Sequence, residues 1–95
     1  MATKLSSEMA RKFAIISALA RMEKPTLNDL VQRTGIPEPS LKRQLVAIRN
    51  EFRMKIPYVR DKSSGLRGTS GYYTLLDWGV IDREEFLMAY GGMTL

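Results

Sequence analysis

The chain has 95 residues, with 15 Lys or Arg against 10 Asp or Glu, and its formal net charge is +5 at pH 7. A chain of this length builds one modest core, so we predict a single domain over residues 1–95 without a deep, enclosed substrate cavity. The sequence contains no Cys and no His. Their absence excludes disulfide frameworks, thiol or imidazole catalysis and the usual zinc ligands. We therefore expect a binding protein that is not an enzyme and uses no cofactor or metal.

The first predicted element is an amphipathic helix over residues 7–22. Its apolar side chains recur at helical spacing: Met9, Phe13, Ile16, Leu19 and Ala20. Pro25 ends the helix because it cannot continue the backbone hydrogen-bond ladder.

The apolar run 13–20 follows Arg11 and Lys12, as in a secretory signal peptide. The run is short, however, and Glu8 lies in the flank that should be basic. No stretch approaches the ~20 apolar residues that span a membrane. We expect a cytoplasmic protein that does not bind membranes.

A second, short helix follows Thr26, whose hydroxyl can accept a free N–H in the first turn while Asp29 favours the positive end of the helix dipole. Leu27, Leu30 and Val31 form its buried side, and Gly35 ends it.

A third helix is predicted over residues 38–53, where Pro37 and Pro39 suit a helix start. Leu41, Leu45, Ile48 and Phe52 make the core side. The opposite side is polar and basic, and it carries Lys42, Arg43, Val46, Asn50 and Arg53.

Strands are predicted at 56–60 and 72–76, which makes an antiparallel hairpin over about 56–76. The loop 63–71 between them is rich in Gly and Ser. A last short helix over about 82–90 begins at Asp82 and has Phe86, Leu87 and Tyr90 as its apolar side chains. The predicted fold class is mainly α with a small β-hairpin.

The charges are unevenly distributed along the chain. Residues 42–67 contain eight Lys or Arg and two Asp or Glu, whereas residues 68–95 contain one Arg and four acidic residues. One segment therefore carries a net charge of +6 and the C-terminal segment −3. This polarity suits a molecule that turns one face to a polyanion.

The stretch over about 26–53 has the layout of a helix-turn-helix, with a short helix, a tight turn at Gly35 and a second helix with a basic side. With the hairpin that ends at 71–75, residues 8–77 resemble winged helix-turn-helix DNA-binding domains, and most closely the N-terminal domain of IclR-type transcriptional regulators. The matching positions are Thr26, Leu27, Leu30, Thr34, Gly35, Ile36, Pro37, Ser40, Arg43 and Leu45. The predicted hairpin is longer than the resemblance implies, and we expect no effector-binding domain after it.

The resemblance implies a three-helix winged domain with a short C-terminal helix, in which the 38–53 helix enters the major groove of double-stranded DNA and the hairpin contacts phosphates or the minor groove. The expected function is sequence-specific DNA binding by a small transcriptional regulator. The candidate DNA-binding residues are Ser40, Lys42, Arg43, Arg49, Arg60, Lys62, Ser63 and Arg67. Glu38 and Ala47 are two further residues expected to face the groove.

Two other uses of the basic face remain open. The protein could be an interaction winged helix, an adaptor whose basic face meets an acidic protein in a larger assembly; Glu38 and Asp61 beside the basic residues favour this alternative. RNA is a third partner, since arginines on the hairpin do not distinguish duplex types. One domain of this size reads few base pairs, so we expect a homodimer through the first helix and the C-terminal segment 86–95, unless these pack within one chain.

Overall fold

The computed structural model describes residues 5–60 and 71–93. Within them, four helices precede and follow one small sheet: α1 (Ser7–Arg21), α2 (Leu27–Thr34), α3 (Glu38–Phe52), β1 (Tyr58–Arg60), β2 (Gly71–Tyr73) and α4 (Arg83–Tyr90). The predicted fold class, mainly α with a small β-hairpin, is confirmed. The helix boundaries agree with the predicted ones to within about one residue.

Helix α1 is the centre of the core. The Ser6 hydroxyl accepts a hydrogen bond from the Met9 N–H at its start. Residues 14–19 are all buried, because α2, α3 and α4 each pack against this helix. The predicted single apolar stripe was therefore too narrow. Ala20, which was assigned to it, is exposed, and Ser17 is buried with its hydroxyl donating to the Gly91 carbonyl at 2.9 Å.

Helices α2 and α3 meet at a short turn. A capping box starts α2, since the Thr26 side chain accepts from the Asp29 N–H while the Asp29 carboxylate accepts from the Thr26 N–H. Gly35 ends α2 with φ of 76°, a left-handed conformation that a residue with a Cβ adopts at a cost. Pro37 then precedes the first residue of α3.

The sheet is shorter than the sequence indicated. Strands β1 and β2 are antiparallel with Val59 opposite Tyr72, and neither extends over the five residues predicted for it. Pro57 lacks the N–H that a longer ladder would need. The Tyr73 N–H also donates to the Pro25 carbonyl at 2.9 Å, so β2 is held against the turn between α1 and α2.

After β2 the chain returns to the end of α3. The Lys55 N–H donates to the backbone carbonyl of Asp77, and the Leu76 N–H donates to the backbone carbonyl of Lys55. Lys55 and Asp77 thus form an isolated antiparallel bridge. The Val80 N–H donates to the Phe52 carbonyl at 2.9 Å and so pairs one of the last free carbonyls of α3. Gly79 has φ of 61°, and a Cβ there would overlap that carbonyl.

Helix α4 packs on α1 through aromatic side chains. The Asp82 carboxylate caps it by accepting from the Glu85 N–H at 2.9 Å. Phe86 is buried with its ring centroid 5.2 Å from that of Phe13, in an edge-on arrangement, and the Tyr90 centroid lies 4.8 Å from Phe13.

A polar contact joins the start of α1 to the middle of α3. The Gln44 amide donates to one carboxylate oxygen of Glu8 at 2.9 Å, and the Arg11 guanidinium donates to the other at 3.0 Å. The pKa of Glu8 is held below its ordinary value, first because the Gln44 amide stabilises the ionised form, with Lys12 and Arg11 adding attraction. Burial acts in the opposite direction and is outweighed.

This lowered pKa predicts an acid-sensitive contribution to stability. Ionised Glu8 stabilises the folded chain above its ordinary pKa of 4.5, and the contribution disappears as the pH falls through the lower pKa of the folded state. We expect the free energy of unfolding of Glu8→Gln, measured with urea, to fall less than that of wild type below about pH 4.5. Glu23→Gln, on an exposed residue beyond α1, is the control. Parallel pH profiles for wild type and Glu8→Gln would contradict this role.

Candidate nucleic-acid interface

One side of α3 is free of the core. Leu41, Leu45 and Ile48 are buried against α1 and α2, whereas the opposite side is exposed. We call this exposed side the outer face of α3, and its residues are Glu38, Pro39, Lys42, Arg43, Val46, Asn50 and Glu51. Arg43, Val46 and Asn50 follow one another at spacings of three and four residues, so they lie in one row along the helix.

The leading half of α3 carries three of the predicted DNA-binding residues. The Arg43 guanidinium donates to the Ser40 hydroxyl at 3.2 Å, so these two side chains are together on the surface. Lys42 pairs with Glu38 at 3.3 Å one turn earlier, and both side chains are exposed. Such an exposed pair contributes little to stability, but it reduces the local positive charge.

Arg49, another predicted DNA-binding residue, makes a bond inside the fold. Its Nε and Nη2 both donate to the Ile56 carbonyl, at 3.1 and 2.5 Å, and the side chain is partly buried. Arg49 therefore holds the end of α3 to the chain that enters the hairpin. Its position between the core side and the outer face of α3 was the only signal in the sequence for this role.

The other predicted residues were assigned to the hairpin from the sequence. Arg60 is exposed at the end of β1 opposite Gly71. Lys62, Ser63 and Arg67 lie outside the described residues, as does most of the loop 63–71. The Tyr58 ring on β1 covers Gly71 on β2 so closely that a Cβ at Gly71 would overlap it.

Thr34 fixes the turn that orients α3, and the sequence did not identify this role. Its buried hydroxyl donates to the Leu30 carbonyl at 2.7 Å and accepts from the Ile36 N–H at 3.2 Å. One side chain thus joins the last turn of α2 to the residue that packs under the start of α3. Ser and Thr often compete for backbone groups in this way, and a Thr just before the Gly that ends a helix was the available signal.

Val46 and Asn50 were assigned to the polar side of α3 but not to the DNA-binding set. Val46 is 52% exposed although it is apolar, and Asn50 is exposed one turn further along. Their spacing from Arg43 places them in the same row, which could have identified them. Ala47 and Ser40 are only partly exposed and lie at one edge of this row.

The two surfaces predicted for homodimer contact pack together in one chain. Phe86 is buried, and Phe13 and Tyr90 are partly buried against it. Much of the apolar area of α1 and α4 is therefore already used within the fold. A homodimer through these surfaces stays a prediction.

Comparison with family models, with curated proteins and with solved structures found no match to this chain. The resemblance to winged helix-turn-helix domains consequently stays a prediction from the residues quoted for it. No helix in residues 5–60 and 71–93 is both long and apolar enough to cross a membrane.

Removing the Thr34 hydroxyl should weaken the turn. Thr34→Val keeps the shape but leaves the buried Ile36 N–H without its acceptor, and we expect a loss of about 1–2 kcal/mol in the free energy of unfolding. Urea denaturation measures it, and Thr34→Ser, which keeps the hydroxyl, is the matched variant. A Thr34→Val variant as stable as wild type would show that the hydroxyl does not fix the turn.

Arg49 should affect stability more than its neighbours on the outer face. Arg49→Ala removes two donors from the Ile56 carbonyl, and we expect it to cost about 1–3 kcal/mol in the free energy of unfolding. Arg43→Ala, on the exposed side of the same helix, is expected to cost less than about 0.5 kcal/mol. If the two variants unfold at the same urea concentration, the Arg49 bond does not hold the hairpin.

Proposed function

We propose that this protein is a winged helix-turn-helix that binds double-stranded DNA in a sequence-specific manner and acts as a cytoplasmic transcriptional regulator. The observation that carries the proposal is the outer face of α3. It presents Arg43, Val46 and Asn50 in one exposed row on a helix whose other side is fixed by Leu41, Leu45 and Ile48. A helix of 15 residues is about 22 Å long, which is ample for a major groove about 12 Å wide.

The three side chains in this row are of types that can contact the edges of DNA bases directly. An Arg can donate two hydrogen bonds to a guanine, an Asn can pair with an adenine edge, and an apolar side chain can contact a thymine methyl group. Arg43, Asn50 and Val46 supply one of each. Ser40 beside Arg43 is small, so the leading end of the helix can approach the bases closely.

The remaining basic residues suit phosphate contacts. Arg53 and Lys55 are exposed at the end of α3, and Arg60 is exposed on β1. In the sequence Lys62, Ser63 and Arg67 follow Arg60. Contacts of this kind give affinity that falls steeply with salt and carry no base information by themselves.

One observation favours the second candidate, an adaptor that binds an acidic protein. The Glu38–Lys42 pair places a carboxylate at the leading end of α3, where DNA phosphates would be repelled. A protein partner could accommodate this pair and cover Val46. Under this alternative, duplex binding is weak and independent of sequence.

Selection of bound fragments from random duplex DNA tests the proposal, followed by affinity measurements on the selected site and on a scrambled duplex. Arg43→Ala should lose about 1–3 kcal/mol on the selected site and much less on the scrambled one, because it removes a base contact. Arg60→Ala should weaken both duplexes equally and reduce the salt slope by about one phosphate contact.

Arg33→Ala, on the exposed side of α2, is the control for loss of one positive charge. It should change neither the selected site nor the ratio of the two affinities. Selection without any enriched sequence, together with equal binding by wild type and Arg43→Ala, would reject sequence-specific binding and favour the adaptor.

A further inference from the structure

The side of α4 that faces away from the core is acidic and carries an unusually exposed apolar residue. Glu84 and Glu85 are exposed, and Met88 is 88% exposed one turn later. We call these three residues the acidic face of α4. Residues spaced by three or four are neighbours on a helix, so Met88 has a carboxylate on either side of it in the preceding turn.

A second surface has the opposite charge. A shallow groove of about 500 Å³ lies where the end of α3 meets the chain before β1 and after β2. We call it the basic groove, and it is lined by Arg49, Met54, Lys55, Ile56, Pro57 and Leu76. Its lining is mostly apolar. Leu76 is 68% exposed at one edge, and Lys55 is exposed on the rim.

These two surfaces complement each other in both charge and hydrophobicity. Met88 would be transferred from water to the apolar lining, which is favourable by about 1.5–3 kcal/mol for a fully buried side chain of this size. Glu84 and Glu85 would meet Lys55 and the part of the Arg49 guanidinium that does not bond Ile56. The charges also favour one orientation of the two surfaces over others, because the carboxylates around Met88 would face the basic rim of the groove.

The opposite side of α4 holds this helix in its place. Phe86 is buried on the opposite side of α4, against Phe13 of α1. Releasing α4 would expose that aromatic contact. The acidic face of α4 therefore stays on the surface, where another molecule can reach it.

We propose that the acidic face of α4 of one copy docks into the basic groove of a second copy. Such a contact joins two different surfaces, so each bound copy still offers one free α4 and one free groove. The chain then assembles head to tail, and closure into a ring or growth into a longer array depends on the rotation between copies. The association requires no DNA, but it uses Lys55, which the proposed function assigns to phosphate contacts, so it is tested without DNA.

Charge exchange tests this contact on the whole chain, in low salt and without DNA. The average mass from sedimentation or light scattering should rise with wild-type concentration and fall back to monomer as salt is added. Lys55→Glu and Glu85→Lys should each weaken association by about tenfold or more, because like charges then face each other. The double variant Lys55→Glu with Glu85→Lys should recover it, since the pair is restored with its signs reversed.

Matched controls change the same charge elsewhere. Arg33→Glu and Glu23→Lys alter exposed residues outside both surfaces and should associate as wild type does. If they weaken association as strongly as Lys55→Glu and Glu85→Lys, net charge is responsible and the contact is wrong. A double variant that stays monomeric, or a wild type that is monomeric up to millimolar concentration, also overturns the proposal.

Cross-linking identifies the surfaces directly because the chain has no native cysteine. Lys55→Cys and Met88→Cys are mixed and treated with a short bis-maleimide. The head-to-tail contact predicts a cross-linked dimer in the mixture and far less in either variant alone. Efficient cross-linking of Met88→Cys with itself would instead indicate a symmetric contact between two α4 helices, and no cross-linking in the mixture would reject the proposal.

Discussion

The burial of six consecutive residues in α1 is the constraint from which the arrangement of the other helices follows. Residues 14–19 span more than one and a half helical turns, so their side chains point in every direction around the helix axis. Water can be excluded from all of them only if other elements cover the helix on several sides. Helices α2, α3 and α4 provide that cover, which explains why so short a chain has a defined core.

The geometry of α3 depends on this packing through a few polar contacts. Thr34 fixes the angle at which the chain leaves α2, and the Glu8–Gln44 bond ties the middle of α3 to the start of α1. Arg49 connects the far end of α3 to the hairpin. Each contact joins two different segments of the chain. Together they hold the outer face of α3 in one orientation, which is the rigidity that the proposed binding to DNA would need.

The sequence predicted the helices well because their signals are local. Thr26, Gly35 and the prolines around Glu38 mark helix ends by chemistry that acts within four residues. The strands and the width of the α1 core were predicted poorly, because they depend on distant partners. Whether Ala20 is buried depends on which sides of α1 the other helices cover. The position of β2 depends on Pro25, which is far from it in the sequence and accepts from the Tyr73 N–H.

The residues of the candidate site also divide into those that local signals predicted and those that depend on distant partners. Exposure of Lys42 and Arg43 followed from the periodicity of α3 alone, and the structure agrees with it. The use of Arg49 could not be predicted, since its acceptor is a backbone carbonyl whose position depends on how the chain turns after α3. A basic residue at the border between a buried and an exposed helix side can serve either the solvent or the fold, and only the neighbouring backbone decides which.

The chain leaves the helical part of the molecule at Lys55 and returns to it at Asp77, where the two residues are paired. Gly79 and Val80 then close against the last carbonyls of α3. Further out, Ile56 is buried in the core and β2 is tied to Pro25 through the Tyr73 N–H, so both strands are anchored to the helices. The entropy of closing a loop rises only slowly with its length. Insertions or deletions between β1 and β2 should therefore cost the helices little stability, whereas changes at Ile56 or Tyr73 would reach the core.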